Sequence, residues 1–251
     1  MNEPAAALIV TAAGLAAGFI NTVVGSGSLI TFPILVAIGY APVVAYVSNT
    51  LGLIPGAVSG ADGYRRELAG QRNRVTGLAP WAVAGGAAGA ALLLVLPPGV
   101  FRAAVPVLVT GAAVLVAVQP WLSARLSETD HGDTGDAFRV RPLIFLAAVY
   151  GGYFGAAQSV ITFALLSSFL NDTPQRLNAL KVVIAVTVNA VAGVLFVGLA
   201  PISWPAAGEI ALGSFAGGLL GASVGRRMSA TALRAAMIVV AVVAIGRFVV
   251  G

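Results

Sequence analysis

Apolar segments of similar length follow one another along the chain, and only short polar stretches separate them. Most of these segments are about 20 residues long, the length at which an α-helix crosses a ~30 Å hydrocarbon core. We therefore predict membrane-spanning helices at residues 5–24, 43–61, 75–96 and 100–121 and, after a polar stretch, at residues 142–157, 177–200, 204–225 and 230–250.

Two further apolar segments, residues 29–39 and 160–170, are about half as long as a spanning helix. Each follows a stretch rich in glycine or small polar residues, so each is predicted to be a short helix that begins at a break in the backbone. The pattern predicts an all-α integral membrane protein in which each half of the chain contains one short or broken segment.

The second half of the chain repeats the first at a nearly constant offset. The matched positions pair Ser28, Ile30, Thr31 and Phe32 with Ser159, Ile161, Thr162 and Phe163, and Gly85, Gly86 and Gly89 with Gly217, Gly218 and Gly221. Self-similarity over this length indicates an internal repeat. We predict a first helical repeat at residues 1–121, a polar linker at 122–141 and a second helical repeat at 142–251. The repeated glycines also predict close packing between helices.

Arginine positions orient the two repeats. Basic residues favour the cytoplasmic side of a membrane, and one topology places there Arg65, Arg66, Arg72, Arg74, Arg125, Arg139, Arg141, Arg176, Arg226, Arg227 and Arg234. In that topology the short segments cross the membrane, each repeat has about five segments, and both termini are non-cytoplasmic. An odd number of segments makes the repeats inverted. If the short segments are re-entrant instead, eight spans result and Arg226 and Arg227 lie outside.

Composition supports a membrane protein and excludes several other classes. The chain is 59% hydrophobic and 9% charged, with a mean hydropathy of +0.96, whereas soluble domains are roughly a quarter charged. The net charge of +5 is spread between apolar segments, so no nucleic-acid partner is expected. The chain has no cysteine, and its only histidine, His131, lies in the polar linker, so no metal, cofactor or catalytic residue is predicted. The first apolar segment lacks a positively charged leader, and we expect it to be a retained helix rather than a signal peptide.

The two predicted breaks are candidate substrate sites. Gly25, Ser26, Gly27 and Ser28 form the first break, and Gln158 and Ser159 take the places of Gly27 and Ser28 in the second. Unpaired backbone N–H groups are tolerated at membrane depth only where they are buried in protein or line a cavity. Short helices that begin there direct their positive dipole ends into the break, which suits an anion. We expect the two breaks to lie close together.

The helices after the breaks contain further polar residues. Lys181 occupies the position of Ser48, and Asn178 and Asn189 lie near the same helical face. A lysine inside a membrane helix is costly, so its amine either extends to the cytoplasmic face or supplies positive charge to a central site. The candidate substrate-binding residues are Asn21, Gly25, Ser26, Gly27, Ser28, Ser48, Asn49, Gln158, Ser159, Asn178, Lys181 and Asn189.

Three of these motifs resemble the sulfite exporter TauE/SafE family of membrane permeases. They are Leu-Ile-Thr-Phe-Pro at residues 29–33 after the Gly-rich break, Leu-Asn-Ala-Leu-Lys at 177–181 with Asn189, and Gly-Gly-Leu-Leu-Gly-Ala at 217–222 before Arg226 and Arg227. The resemblance covers essentially the whole chain. It implies about eight transmembrane helices and transport of sulfur-containing anions such as sulfite and sulfonates. Ser26, Ser28 and the Ala-Ala-Gln sequence at 156–158 depart from the family's Gly-rich pattern.

The sequence therefore predicts a transporter of a small anion in the bacterial inner or plasma membrane, and the resemblance implies that the anion contains sulfur. Its partners are the anion and the lipid bilayer, and oligomerisation is left open. A passive anion channel is the main alternative, because a helix-end anion site serves channels and carriers alike. A structural membrane subunit is a further alternative. An enzyme is disfavoured, because no histidine or acidic residue lies where it could activate Ser26 or Ser28. The anion, the direction of transport and the coupling ion stay open.

Overall fold

The computed structural model describes the backbone of residues 3–127 and 137–225. These residues form nine α-helices and no strand: α1 Glu3–Val23, α2 Ser28–Ile38, α3 Pro42–Gly63, α4 Arg72–Val95, α5 Pro98–Ser127, α6 Ala137–Tyr153, α7 Gln158–Phe169, α8 Pro174–Leu199 and α9 Trp204–Gly225. Six of them, α1, α3, α4, α5, α8 and α9, contain a stretch long and apolar enough to cross a membrane. The prediction of an all-helical integral membrane protein is confirmed.

The predicted segments coincide with these helices to within a few residues, and α2 and α7 are the two predicted short segments. One difference concerns the linker predicted at residues 122–141. Helix α5 continues to Ser127 and α6 begins at Ala137, so both helices extend into that stretch. The helix predicted at residues 230–250 lies outside the described residues, as do Arg226, Arg227 and Arg234.

Large apolar side chains cover the outer surface of the bundle. Those that are more than two thirds exposed include Leu8, Val95, Val107, Leu199 and Leu212. An apolar surface of this extent is unusual for a protein in water and is the surface expected of helices that face lipid.

Helix pairing is reciprocal between the two halves. Helix α1 packs against α9 as α6 packs against α4, and α3 packs against α9 as α8 packs against α4. The repeated glycines form these interfaces. A Cβ atom added at Gly217 would lie 2.1 Å from the Leu15 carbonyl oxygen, and one at Gly89 would lie 2.0 Å from that of Val149. The predicted role of these glycines in close packing is confirmed.

The contacts also fix helix directions. Gly213 lies against Thr11 and Gly217 against Leu15, so α1 and α9 run in parallel. The backbone N–H of Ser203, after the end of α8, donates to Ser48 near the start of α3, so α3 and α8 run in opposite directions.

Two further pairs complete the assignment of directions. Gly52 and Gly56 of α3 lie against Ile210 and Ser214 of α9, so these helices are parallel. Gly85 and Gly89 of α4 lie against successive turns of α6 in the same order along the chain, so α4 and α6 are also parallel. Arg74 and Arg176, in the first turns of α4 and α8, both bind the carboxylate of Asp172. The first turns of α4 and α8 therefore lie at the same end of the bundle. Equivalent helices of the two halves therefore run in opposite directions. This arrangement supports the inverted repeat, which stays a prediction.

Candidate functional site

The two backbone breaks are in direct contact. Gly25 adopts a φ of 97°, in the left-handed region that favours glycine. A Cβ atom added there would lie 2.3 Å from the Cβ atom of Ser159, in the break of the other half. The predicted proximity of the breaks is confirmed, and the contact leaves room only for glycine.

Lys181 lies at this junction. Its side chain is 1% exposed, and its Nζ atom is 3.4 Å from the position of a Cβ atom added at Gly25. The amine therefore points toward the first break and does not extend to the cytoplasmic surface. Within the described residues, Lys181 forms neither an ion pair nor a hydrogen bond. A buried ammonium without a partner is costly, so this position calls for a compensating group.

Polar side chains of the first half bind one another. The Thr31 hydroxyl donates to Asn49 Oδ1, and Asn49 Nδ2 donates to Ser28 Oγ at 3.1 Å. Ser48 Oγ accepts from the backbone N–H of Ser203 at 2.9 Å. Three of the predicted binding residues, Ser28, Ser48 and Asn49, are thus engaged in joining α2, α3 and the loop after α8.

The equivalent positions of the second half are not joined in this way. Val182 stands where the first half has Asn49, so no amide links Ser159 to Thr162. Within the described part of the chain, the Thr162 hydroxyl has no hydrogen-bond partner, and neither does Gln158 Nε2 or the Ser26 hydroxyl in the adjacent break. Ser26, Gln158, Ser159 and Thr162 are each at most 4% exposed. A buried polar group without a partner costs about 1–3 kcal/mol. The second break, together with Ser26 of the first, therefore offers unused donors.

The two short helices add backbone donors to the same region. Helix α2 begins after Gly27 and α7 after Ala157, and neither start has a hydrogen bond from a capping side chain. Ala157 has a φ of 59°, which turns the chain sharply into α7. Uncapped helix N-termini present N–H groups and a partial positive charge. Lys181 and both helix starts thus make the junction of the breaks electropositive.

Two tyrosines that sequence reasoning missed hold the second break in place. The Tyr46 hydroxyl donates to the carbonyl oxygens of Gly151 at 2.9 Å and Gly152 at 3.1 Å, and Tyr150 donates to that of Ala156 at 2.7 Å. These carbonyls at the end of α6 and in the break lack helical partners. Tyr46 is 1% exposed and its ring stacks on Phe154 at a centroid distance of 6.1 Å. The only sequence signal for Tyr46 was a tyrosine within an apolar segment. The internal repeat did not point to it, because Ala179 occupies the matching position of the second half.

The predicted asparagines are only partly brought together. Asn178 Nδ2 donates to the Thr22 carbonyl oxygen at 3.4 Å and so ties α8 to the end of α1. A Cβ atom added at Gly27 would lie 3.0 Å from the Cβ atom of Asn21, so Asn21 packs against the first break. Asn189 is half-buried and forms no hydrogen bond within the part of the chain that the structure describes.

An ion-pair network joins the two halves at the end of the bundle where α4 and α8 begin, which we call the Arg-rich face and which contains Arg65, Arg66, Arg72, Arg74 and Arg176. Asp172 accepts from both Arg74 and Arg176, and Arg176 Nη1 also donates to the Ala69 carbonyl at 3.0 Å. Partial desolvation opposes ionisation of Asp172, but hydrogen bonds from the two guanidinium groups and the Thr173 N–H outweigh it and lower the pKa of this carboxyl.

A lipid-facing helical bundle with two broken helices that meet at a buried, electropositive junction defines the class of polytopic membrane transport proteins. Residues 10–248 match the family model of the sulfite exporter TauE/SafE. The chain belongs to this family, which is one of membrane transporters and not of enzymes.

Two relatives carry transporter descriptions. A "Probable membrane transporter protein" of Haemophilus influenzae is 26% identical over 224 residues, which cover 87% of this chain and 83% of the relative. A "Probable membrane transporter protein ORF9" of Sinorhizobium sp is 27% identical over 166 residues, 62% of this chain and 60% of the relative. Both similarities agree with a membrane transporter.

Proposed function

We propose that this protein transports a small sulfur-containing anion, such as sulfite or an organosulfonate, through a site at the junction of the two breaks. The observation that carries the proposal is the Lys181 amine, buried against Gly25 and Ser159 with no counter-charge among the described residues. A charged lysine at membrane depth costs about 2.5–3.5 kcal/mol. A bound anion offsets this cost, which no side chain in the described part of the chain does.

The hydrogen-bond donors that have no partner among the described residues favour an anion site on the side of the junction formed by α7. Gln158, Ser159 and Thr162 lie on one face of the first turns of α7, because residues three and four apart are neighbours on a helix. Their donors, with those of Ser26 and Lys181, match the several acceptor oxygens of a sulfite or sulfonate group. Ser28, Ser48 and Asn49 are assigned a supporting role, because their polar atoms already bind within the protein.

Inverted repeats provide a mechanism for transport. Each half contributes one break to the site, and the two halves meet through reciprocal helix interfaces. Movement of one set of helices against the other exposes a central site alternately to the two sides of the membrane. A carrier of this kind saturates and shows counterflow, whereas a passive channel does neither.

The proposal is tested on purified protein in proteoliposomes. Binding is measured for sulfite, thiosulfate, methanesulfonate, sulfoacetate, acetate and formate, and uptake is then followed with the tightest ligand. We expect the sulfur anions to bind more tightly than the carboxylates, and uptake to saturate and to accelerate when the lumen is preloaded with unlabelled ligand. Uptake that rises linearly with concentration and ignores preloading identifies a channel. Binding that is unchanged in Lys181→Met removes the site from the junction.

A further inference from the structure

Lys181 is the only lysine in the chain. The surroundings of its amine indicate which ion is transported together with the anion. Building on the proposed function, we propose that each anion bound at the junction is accompanied by one proton, which the Nζ atom of Lys181 takes up. The protein would then be an anion–proton symporter in which Lys181 carries the proton.

Among the residues that the structure describes, no fixed negative charge accompanies this amine. Helix α8 packs against α3, α4, α6 and α7. The ionisable residues that these helices bring are Tyr46 and Asp62 on α3, Arg72 and Arg74 on α4, Arg139, Arg141, Tyr150 and Tyr153 on α6, none on α7, and Arg176 on α8 itself. Neither α2 nor the first break contains an ionisable residue. Tyr46 donates its proton to backbone carbonyls, Asp62 pairs with Arg65 at 3.6 Å, and the arginines are cations.

Electrostatics links the proton to the anion. A lone ammonium and a lone anion are each unfavourable in a buried site, whereas the two together form a charge-assisted pair. Each therefore strengthens the binding of the other by the same factor, as linkage requires. Two residues near the amine, Gly25 and Ser159, contribute no charge, so the anion itself supplies the counter-charge.

The proton balance is simple. On the loading side, the neutral amine takes one proton from water and forms an N–H bond, and the anion binds the resulting ammonium. On the release side the anion leaves, the ammonium returns its proton to water, and the neutral amine crosses back. A monoanion then moves without net charge, and a dianion moves with one negative charge.

Because the chain has a single lysine, its protonation can be observed directly. Protein labelled with 13C at the lysine Cε is prepared in nanodiscs, and the signal is recorded at about pH 8 with and without methanesulfonate or thiosulfate, whichever binds more tightly. Methanesulfonate and thiosulfate both keep a constant charge at neutral and alkaline pH, so any pH dependence of binding belongs to the protein. We expect the signal at the neutral-amine position without the probe and at the ammonium position with it.

Affinity provides a second readout. The dissociation constant should rise about tenfold per pH unit on the alkaline side, and calorimetry in two buffers of different ionisation enthalpy should give one proton taken up per anion. An ammonium signal without probe together with a flat affinity would overturn the coupling and leave the anion site standing. Failure of both sulfur anions to bind at any pH would overturn the proposed site and the coupling with it.

Variants separate the proton from the positive charge. Lys181→Arg keeps a cation that does not lose its proton, so binding should become independent of pH. Arg66→Gln, an exposed change on the Arg-rich face, is the control and should keep the pH dependence of the unmodified protein. If Lys181→Arg does not fold, the 13C measurement on the unmodified chain decides the question alone.

Discussion

The Nζ atom of Lys181 and the α-carbon of Gly25 face each other so closely that a Cβ atom at Gly25 would lie 3.4 Å from the amine. The residues belong to different halves of the chain: Gly25 lies in the first break, and Lys181 lies on α8 of the second half. The contact puts a charge-bearing side chain of one repeat against the bare backbone of the other.

The first prediction concerns Gly25→Ala. The methyl group would force a left-handed φ on a non-glycine residue and would lie 2.3 Å from the Ser159 Cβ atom. We expect a loss of at least about 1–2 kcal/mol of stability and loss of anion binding, measured by thermal melting and titration. Gly39→Ala is the matched control, because Gly39 has a φ of 111° but open space around it; it should cost stability without affecting binding. Adding Ser159→Gly to Gly25→Ala should recover part of the stability.

The second prediction is that Lys181→Met separates stability from binding. Removal of an unpaired buried amine should leave the melting temperature of the anion-free protein unchanged or higher. Anion affinity should fall about 10- to 150-fold, which corresponds to a hydrogen bond to a charged group of about 1.5–3 kcal/mol. Arg176→Met, at the Arg-rich face, should affect affinity much less. A Lys181→Met protein that melts earlier yet binds normally would show that the lysine has a packing role only.

The third prediction assigns sides of the membrane. The chain has no cysteine, so single cysteines introduced one at a time report accessibility without background. Arg66→Cys on the Arg-rich face should react only from the cytoplasm, and Trp204→Cys at the start of α9 only from outside. A reporter fused after Gly251 should be active on the non-cytoplasmic side. The reverse pattern of labelling would contradict the orientation that the arginines predict.

Local patterns determined what the sequence could predict. Segment length and the glycine-rich stretches placed the helices and both breaks, and the repeat predicted that the breaks meet. The partners of Tyr46 could not be predicted, because this residue and Gly151 are 105 positions apart and neither segment carries a pattern that indicates contact with the other. The difference between the halves also escaped prediction: replacement of Asn49 by Val182 is unremarkable until the Thr31–Asn49–Ser28 hydrogen bonds are seen.

The fourth prediction concerns acid stability. The pKa of Asp172 in the folded protein is lowered, against the effect of its partial desolvation, by hydrogen bonds from Arg176 and Arg74. A depressed folded pKa contributes stability above the unfolded value of about 3.9 and loses it as the pH falls through the folded value. Asp172→Asn should therefore melt earlier at neutral pH, and the difference should shrink below about pH 4. A difference that persists undiminished in acid would show that the ion pairs are not its cause.

The last prediction uses the two equivalent threonines, Thr31 and Thr162. Valine has nearly the same shape as threonine but lacks the hydroxyl. Thr31→Val leaves Asn49 Oδ1 buried without its donor and should cost about 1–3 kcal/mol of stability. Thr162→Val removes a hydroxyl that has no partner, so stability should be unchanged or higher, while anion affinity should fall about 2- to 10-fold, the value of one hydrogen bond. Melting curves and titrations of both variants decide the matter: equal stability losses with unchanged affinity would mean that the second half is bonded like the first and offers nothing to an anion.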